Sequence, residues 1–370
     1  MSYERYHRQM ILPGFGEQAQ QKIARARVLV IGAGGLGCPA LQYLTAAGIG
    51  TIGIADGDTV SLSNLHRQVL FHTADIGKNK AQTAAAYLQQ LNPDITFEVI
   101  AQHITTMNIL ETISAYEIVV DGTDNFATRY MINDACVLLK KTLVYGAVSR
   151  FEGQVAVFNY PVAENERSAN YRDLFPEPPH ENEVLNCSDA GVIGVLAGII
   201  GSLQANEVIK MVTGLGSPLV NQLLTFNTLT NQQYTVKMTR SKNSQLLMPQ
   251  SQEAFRQTDY AWLCRYQMQD NEIDARLFNQ LIQQNNVDIV DVRELHEMPE
   301  AEGFKYFKIP LANIRTEYQV LKNKTVVVFC QSGKRSLQAA KQLSELLDDT
   351  RTIYSLSGGI VSWKEFCEMK

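Results

Sequence analysis

The stretch Val28–Gly37 constrains this chain more than any other. Val28, Leu29, Val30 and Ile31 run straight into Gly32-x-Gly34-x-x-Gly37, with Gly35 inside the turn. Pro39, an apolar stretch to Ala47 and then Gly48 follow. The pattern predicts a buried strand, a tight glycine turn and a helix with a glycine cap at its end. Glycines there let a phosphate approach bare backbone amides, and the helix N-terminus adds partial positive charge. Thr51–Ala55 predicts a second strand, and Asp56 at its end is the acid expected at a ribose hydroxyl. Glycines that merely allow helix–strand packing would not call for strand, helix and acid together. The unit reads as a nucleotide-binding βαβ, and the motif alone leaves the nucleotide open.

A chain of 370 residues is too long for one ordinary core, so two domains are expected. Apolar content of 45% and charge of 19% belong to a soluble globular protein. A net charge of −5 gives no reason to expect nucleic acid as a partner. The 6 cysteines (38, 136, 187, 264, 330 and 367) form no CxxC pair. Their scatter argues against a disulfide framework or a zinc site and fits a reducing, cytoplasmic location. The charged N-terminus has no apolar centre and does not read as a signal peptide. The most lipid-like run, Ala190 to Leu203, is roughly 14 residues against the ~20 that span a bilayer, so it reads as a buried core helix and no membrane partner is expected.

Ahead of the glycine strand, Arg5 and Arg8 lie in a short leading segment, helical from about Glu17. After Asp56 a polar loop carries Asp58, Ser63, Asn64, Arg67 and Gln68. A helix then runs to Leu91, with Lys78 and Lys80 in its first turn. A lysine there opposes the helix dipole, which marks one of the two as an anion ligand or as a solvated charge. Phe97–Ile100 predicts a third strand. The run from Glu117 predicts a buried strand that delivers Asp121, Asp124 and Asn125 at its C-terminal end, where open α/β sheets bind ligands. One of these residues is expected to cap the next helix. An NAD enzyme has little use for a carboxylate here, whereas an ATP enzyme needs one for Mg²⁺. Two further strands are expected from Lys141 and from Glu152, the second antiparallel. Residues 161–190 form an irregular, proline-rich loop that ends on Cys187 at a predicted helix start, where a thiol pKa is lowered. A small buried apolar role explains Cys187 equally well.

The composition changes between about Lys237 and Asn271, which places a linker at 241–271 between domains 1–240 and 272–370. In the second domain a helix over 274–284 precedes a strand that ends at Asp291, Val292 and Arg293. The strand 324–329 delivers Cys330, Gln331, Ser332, Gly333, Lys334, Arg335 and Ser336, and a helix follows to Leu347. In such a loop successive N–H groups converge on the sulfur, and the helix dipole, Lys334 and Arg335 favour its anion. That arrangement stabilises a thiolate or a persulfide.

This loop, with Asp291-Val-Arg293-Glu294 and Ser357-Gly-Gly-Ile-x-x-Trp363, resembles the active region of the rhodanese family of sulfurtransferases, over about the last hundred residues. Residues 1 to about 235 resemble the MoeB/ThiF/HesA family, which adenylates ubiquitin-like sulfur carriers. The matching stretches are Arg5-Tyr-x-Arg8-Gln9, the glycine motif, Asp56-x-Asp58 through Ser63-Asn64-x-x-Arg67, Lys80, Asp121-x-Thr-Asp124-Asn125, Glu152-Gly-Gln, and Cys187 before Ala-Gly-Val. The resemblance implies that Gly32, Gly34, Gly35, Gly37, Asp56, Asp58, Ser63, Asn64, Arg67, Lys80, Asp124 and Asn125 bind ATP, with Asp124 on Mg²⁺. It also implies that Arg8 reaches the phosphates of the other subunit of a homodimer. Many members hold a zinc ion with two CxxC pairs. Where the first would fall, this chain has Asn170-Tyr-Arg-Asp173, and no second pair precedes the linker. Tetrahedral zinc needs four such ligands, so no zinc is expected and the loop it would pin is expected to be mobile.

The expected fold is α/β: a doubly wound, Rossmann-like ATP-binding domain and a smaller rhodanese-like α/β domain. The expected activity is ATP-dependent adenylation of the C-terminal glycine of a sulfur-carrier protein that ends in Gly-Gly. Sulfur transfer through a Cys330 persulfide would then give a carrier thiocarboxylate. Cys330, Cys187, Arg8 and Asp124 are the expected catalytic residues. Cys187 would release the thiocarboxylate or link covalently to the carrier. The upstream sulfur donor would be a cysteine desulfurase or thiosulfate. The carrier's pathway (molybdopterin, thiamine, cysteine or tRNA thiolation) is not legible. An NAD-dependent oxidoreductase fused to a sulfurtransferase would leave Arg67, Lys80 and Asp124 without a purpose. A non-catalytic scaffold that docks a carrier would leave the Cys330 loop without one.

Overall fold

The computed structural model describes residues 3–164, 166–176, 191–260, 271–284, 286–297, 300–347 and 351–368. The chain divides into two units, Met1–Arg265 and Tyr266–Lys370. The first begins with α1 (Tyr3–Met10) and α2 (Gly16–Arg25). Strands β1 (Arg27–Ile31), β2 (Thr51–Ala55), β3 (Thr96–Ile100), β4 (Ile118–Asp121) and β5 (Thr142–Ser149) are parallel, in the order β3-β2-β1-β4-β5. The order reverses between β1 and β4, which opens a crevice at their C-terminal ends. The helices α3 (Gly37–Ala47), α4 (Lys80–Leu91), α5 (Ile109–Ser114) and α6 (Phe126–Leu138) alternate with these strands. β6 (Glu152–Phe158) runs antiparallel to β5. A ribbon of β7 (Pro161–Ala163) and β8 (Glu166–Arg167) leads to a short helix, α7 (Tyr171–Leu174). After α8 (Gly194–Thr213), β9 (Gln222–Asn227) and β10 (Gln232–Lys237) complete the sheet antiparallel.

β1 shows why its sequence is continuously apolar. Val28 and Val30 enter a core shared with α2, α3, α4 and α8, while Leu29 and Ile31 enter another with α5 and α6. A strand covered on both faces has no polar side to display. Its exit into α3 is as tight as the glycine spacing suggests. A Cβ on Gly37 would lie 1.8 Å from the Gly32 carbonyl oxygen. Gly48 ends the helix at φ 95°.

Helix α8 is 20 residues long, longer than the apolar run suggested. It packs against α2, α3, β5 and β6. Two of its buried polar side chains bond inside the domain: Gln204 donates to the Asp121 carbonyl at 2.7 Å, and Glu207 accepts from the Leu219 N–H at 2.8 Å.

The expected linker also differs from the structure. Residues 242–260 carry α9 (Lys242–Leu246) and α10 (Gln252–Gln257), and belong to the first unit. Phe255 and Tyr260 are buried in the α5–α6 core, and burial of two aromatic rings fixes a segment that reads as polar along its sequence. The loop expected to be mobile is held at 170–174 instead. Asn170 and Asp173 form a capping box on α7. Arg172 is buried and donates to both Asp134 oxygens, at 2.9 and 2.7 Å. Tyr260 donates to the same carboxylate at 2.9 Å, and Asp173 accepts from Ser244 and from the Ser241 N–H.

The second unit has a parallel sheet in the order β11 (Glu272–Ile273), β15 (Thr352–Leu356), β14 (Thr325–Phe329), β12 (Val287–Asp291), β13 (Phe307–Lys308). Val326, Val328 and Cys330 face α12 (Lys334–Leu346), while Val327 and Phe329 pack with Phe278 of α11 (Ala275–Leu281) and Trp363 of α13 (Gly359–Glu368).

Candidate active site

A cleft of about 330 Å³ opens at the switch point of the first unit. It brings together Gly32, Gly34, Gly35, Asp56, Asp58, Arg67, Lys80, Asp124 and Asn125. Asp56 accepts the Ala33 N–H at 2.8 Å through one oxygen and the Asp58 N–H at 2.8 Å through the other. Burial pushes this carboxyl up, while those two N–H groups and Lys80 pull it back.

The two lysine candidates separate here. Lys78 is exposed and pairs with Asp75 at 2.9 Å. The Lys78 ammonium, then the His72 N–H and the Tyr87 hydroxyl, hold Asp75 at about 2 against the opposing effect of burial. Lys80 is buried, its side chain 7% exposed, and its ammonium meets Asp58 at 2.9 Å. Asn79 places it by capping α4 through the Gln82 N–H and donating to the Asp56 carbonyl.

The end of β4 assigns three adjacent polar residues to three tasks. Asp121 is buried, accepts the Thr123 N–H at 2.9 Å and lies 3.5 Å from Arg129. Its pKa is raised by burial and partly restored by that arginine. Asn125 caps α6 through the Thr128 N–H. Asp124 is exposed in the cleft and, among the described residues, makes no hydrogen bond or ion pair. It is left as a hard oxygen donor for a cation.

Other expected residues lie elsewhere. Gly37 is beneath the cleft as the first residue of α3. Ser63 and Asn64 sit in a 3₁₀ turn outside the lining and shape it through their carbonyls, which accept from Arg67 and Gln68. Arg8 is exposed on α1 and does not line the cleft of its own chain. Cys187 lies outside the described residues. No sequence signal marks Arg129, which is buried at the cleft and donates to the Thr123 carbonyl at 3.1 Å, with its guanidinium 5.2 Å from the Tyr145 ring centre. Gln68, named with that loop but without a role of its own, is also buried in the lining.

In the second unit Cys330 is buried at the end of β14, and the Gly333 N–H donates to its sulfur at 3.2 Å. Gly333 turns at φ 92° so that α12 begins against that sulfur. Ser336 holds the turn through the Gly333 carbonyl at 2.8 Å. Asp291 and Arg293 form a fully buried pair at 2.8 Å, and Arg293 reaches Gln331 at 3.3 Å. The Ser357-Gly-Gly motif is a matter of space: a Cβ on Gly359 would lie 2.5 Å from the Cys330 carbonyl oxygen. Cys38 and Cys136 are free, buried thiols of a different kind, with burial pushing Cys38 up to about 12 and Cys136 further.

Residues 6–248 match the ThiF family. The chain belongs to that family. Residues 274–366 match the rhodanese-like domain, so this ThiF-family chain carries a second known domain. It is 51% identical over 226 residues to the sulfur carrier protein adenylyltransferase of Thermus thermophilus, covering 61% of this chain and 83% of that protein. Over 97% of its length it is 36% identical to the probable adenylyltransferase/sulfurtransferase MoeZ of Mycobacterium tuberculosis, covering 92% of that protein. It is 37% identical to the adenylyltransferase and sulfurtransferase MOCS3 of Culex quinquefasciatus, covering 97% of this chain and 86% of that one. The structure of MccB from E. coli shares the fold, with a TM-score of 0.57 at 23% identity over 65% of this chain and 73% of that one.

Proposed function

We propose that this ThiF-family chain is an adenylyltransferase and sulfurtransferase acting on a ubiquitin-like sulfur-carrier protein that ends in Gly-Gly. ATP is the co-substrate. The observation that carries the reading is Asp124, a carboxylate without a partner among the described residues, in one cleft with Lys80 and Arg67. A dinucleotide site has no use for it, and the ATP phosphates require a metal. Asp124 would hold Mg²⁺, which supplies charge neutralisation at the phosphates.

The carrier's terminal carboxylate oxygen bonds to the α-phosphorus of ATP, the bridging P–O bond breaks, and pyrophosphate leaves with the electron pair. Lys80 and Arg67 neutralise charge on the leaving phosphates. The terminal sulfur of a Cys330 persulfide then attacks the acyl carbon, and AMP leaves. A thiol attacks the Cys330 sulfur of the resulting acyl disulfide and releases the thiocarboxylate. We assign that thiol to Cys187 or to an external reductant, and a covalent link between Cys187 and the carrier is its other role. The donor that loads Cys330 is a cysteine desulfurase persulfide or thiosulfate. Free thiols at Cys38 and Cys136 support a reducing, cytoplasmic setting.

Cys330→Ala is the experiment that separates the two steps. The variant is expected to keep carrier-dependent ATP–pyrophosphate exchange and to lose sulfur transfer to cyanide and to the carrier. Thiocarboxylate made from thiosulfate at the wild-type rate would end the role given to Cys330.

Arg8 is exposed on its own chain, which supports a homodimer in which it completes the partner's cleft. Arg8→Ala and Asp124→Ala proteins are expected to be inactive apart and to regain up to about a quarter of the activity when mixed, because random exchange pairs half the chains and one site per mixed dimer is intact. Subunit exchange without recovery would mean that Arg8 works in its own subunit or not at all.

A further inference from the structure

The described arginines around Cys330 are each matched by a carboxylate. Arg293 is taken up by Asp291 inside the core. Arg335 lies partly exposed at the mouth of the loop and forks onto Glu297, its Nη2 donating to Oε2 at 2.8 Å and its Nη1 to Oε1. Glu297 is itself fixed, since the Glu294 N–H donates to Oε1 at 2.8 Å. Arg335 stands in the first turn of α12, the helix that begins against the Cys330 sulfur, and that sulfur adds to the rise in the Arg335 pKa behind Glu297. The cation that favours a sulfur anion is therefore already engaged by another anion before any donor arrives. The Arg335 hydrogen bond and the Glu294 N–H hold the Glu297 carboxyl at about 2, so the pair is neutral as a whole throughout the working range.

We propose that Glu297 is a specificity-determining residue of the sulfur-transfer site, one that disfavours dianionic sulfur donors by occupying Arg335. A thiosulfate dianion meets a pair that is neutral as a whole, its guanidinium already forked by a carboxylate, and gains little from it. A donor whose transferable sulfur carries one charge or none suffers less. The sulfur itself is held by the Gly333 N–H and the start of α12, which Glu297 does not touch. The inference rests on the assignment of Cys330 as the sulfur acceptor.

With thiosulfate the step is balanced. The Cys330 thiolate bonds to the outer sulfur, the S–S bond of thiosulfate breaks, and sulfite leaves with the electron pair. Cyanide then removes the outer sulfur as thiocyanate and restores the thiolate.

The full-length wild type, E297Q, E297D and the E297Q/R335Q double variant would be compared in thiosulfate-to-cyanide transfer, with sulfate as a non-transferring dianionic inhibitor. E297Q is expected to lower the KM for thiosulfate roughly fivefold, and to tighten sulfate inhibition equally, because one negative charge is removed beside the guanidinium. E297D keeps the charge and is expected to stay near the wild type, and the double variant to lose the gain. A second readout needs no sulfur transfer. Alkylation at Cys330, followed by peptide mass spectrometry, should show the ratio of iodoacetate to iodoacetamide rates rising about as much in E297Q. An unchanged or raised KM and an unchanged rate ratio, in a variant with the wild-type unfolding midpoint, would overturn the inference and reduce Glu297 to a strut for Arg335. Absence of Cys330-dependent transfer in the wild type would instead overturn the assignment of Cys330, while the alkylation ratio would still decide the role of Glu297.

Discussion

Arg172→Met is expected to cost the first domain about 3–5 kcal/mol of unfolding free energy, the usual result of removing one partner from a buried ion pair. The side chain of Asp134 has no exposed surface, and its two oxygens share the Arg172 guanidinium and the Tyr260 hydroxyl. Without the arginine the carboxylate stays in the core with a phenol and an amide for company. The stack of the guanidinium on Tyr130, 4.8 Å from the ring centre, is lost as well. For a domain of this size the midpoint should fall by roughly 6–15 °C in calorimetry of the full chain. ATP identifies the relevant transition, because a ligand raises only the unfolding of the domain that binds it. Adding Asp134→Asn should recover part of the loss, since no charge is then left unpaired. A drop of under about 2 °C would mean that the network contributes little to stability. Chelators are expected to leave the wild-type transition in place, because side-chain pairing does at 170–173 what thiolates would otherwise do.

Asp124→Ala is expected to reduce carrier-dependent pyrophosphate exchange by about 10³-fold or more, the scale of losing a metal-held charge at the phosphates. The unfolding midpoint should not move, because the carboxylate is exposed and makes no bond to the described residues that its removal could break. That separation of activity from stability is the test. Exchange within tenfold of the wild type would take Asp124 out of the mechanism. A lowered midpoint would show it to be structural.

What the sequence disclosed about this molecule was local. β1, the Gly32–Gly37 turn and α3 were legible because one apolar run, one steric requirement and one cap lie within a few residues of each other. The strand before Cys330 was legible for the same reason. The local pattern leaves Lys78 and Lys80 open, and only the family resemblance selects Lys80, because the choice depends on burial beneath Asp58 and on a cap from Asn79. β9 and β10 are not legible because the short alternation of Tyr234 and Val236 marks no buried face: β10 is exposed along its length. The segment 242–260 reads as a linker because its polar composition hides two aromatic anchors, Phe255 and Tyr260. Glu297 and Arg129 were invisible for a different reason. Each matters through a partner or a cleft that only the folded chain supplies.

The Lys80–Asp58 pair has one partner inside and one outside: the lysine side chain is 7% exposed and the aspartate 57%. The outer partner is the one that an arriving anion can push aside, while the ammonium stays where the fold puts it. The cleft thus keeps a seat occupied by a residue of its own, and entry of an anion at Lys80 begins as an exchange of one anion for another. A small monoanion only replaces what was already there and gains little. A molecule with several linked phosphates takes the same seat and has charge to spare for its neighbours. Displacement of Asp58 is therefore expected to favour a polyphosphate over stray phosphate or chloride.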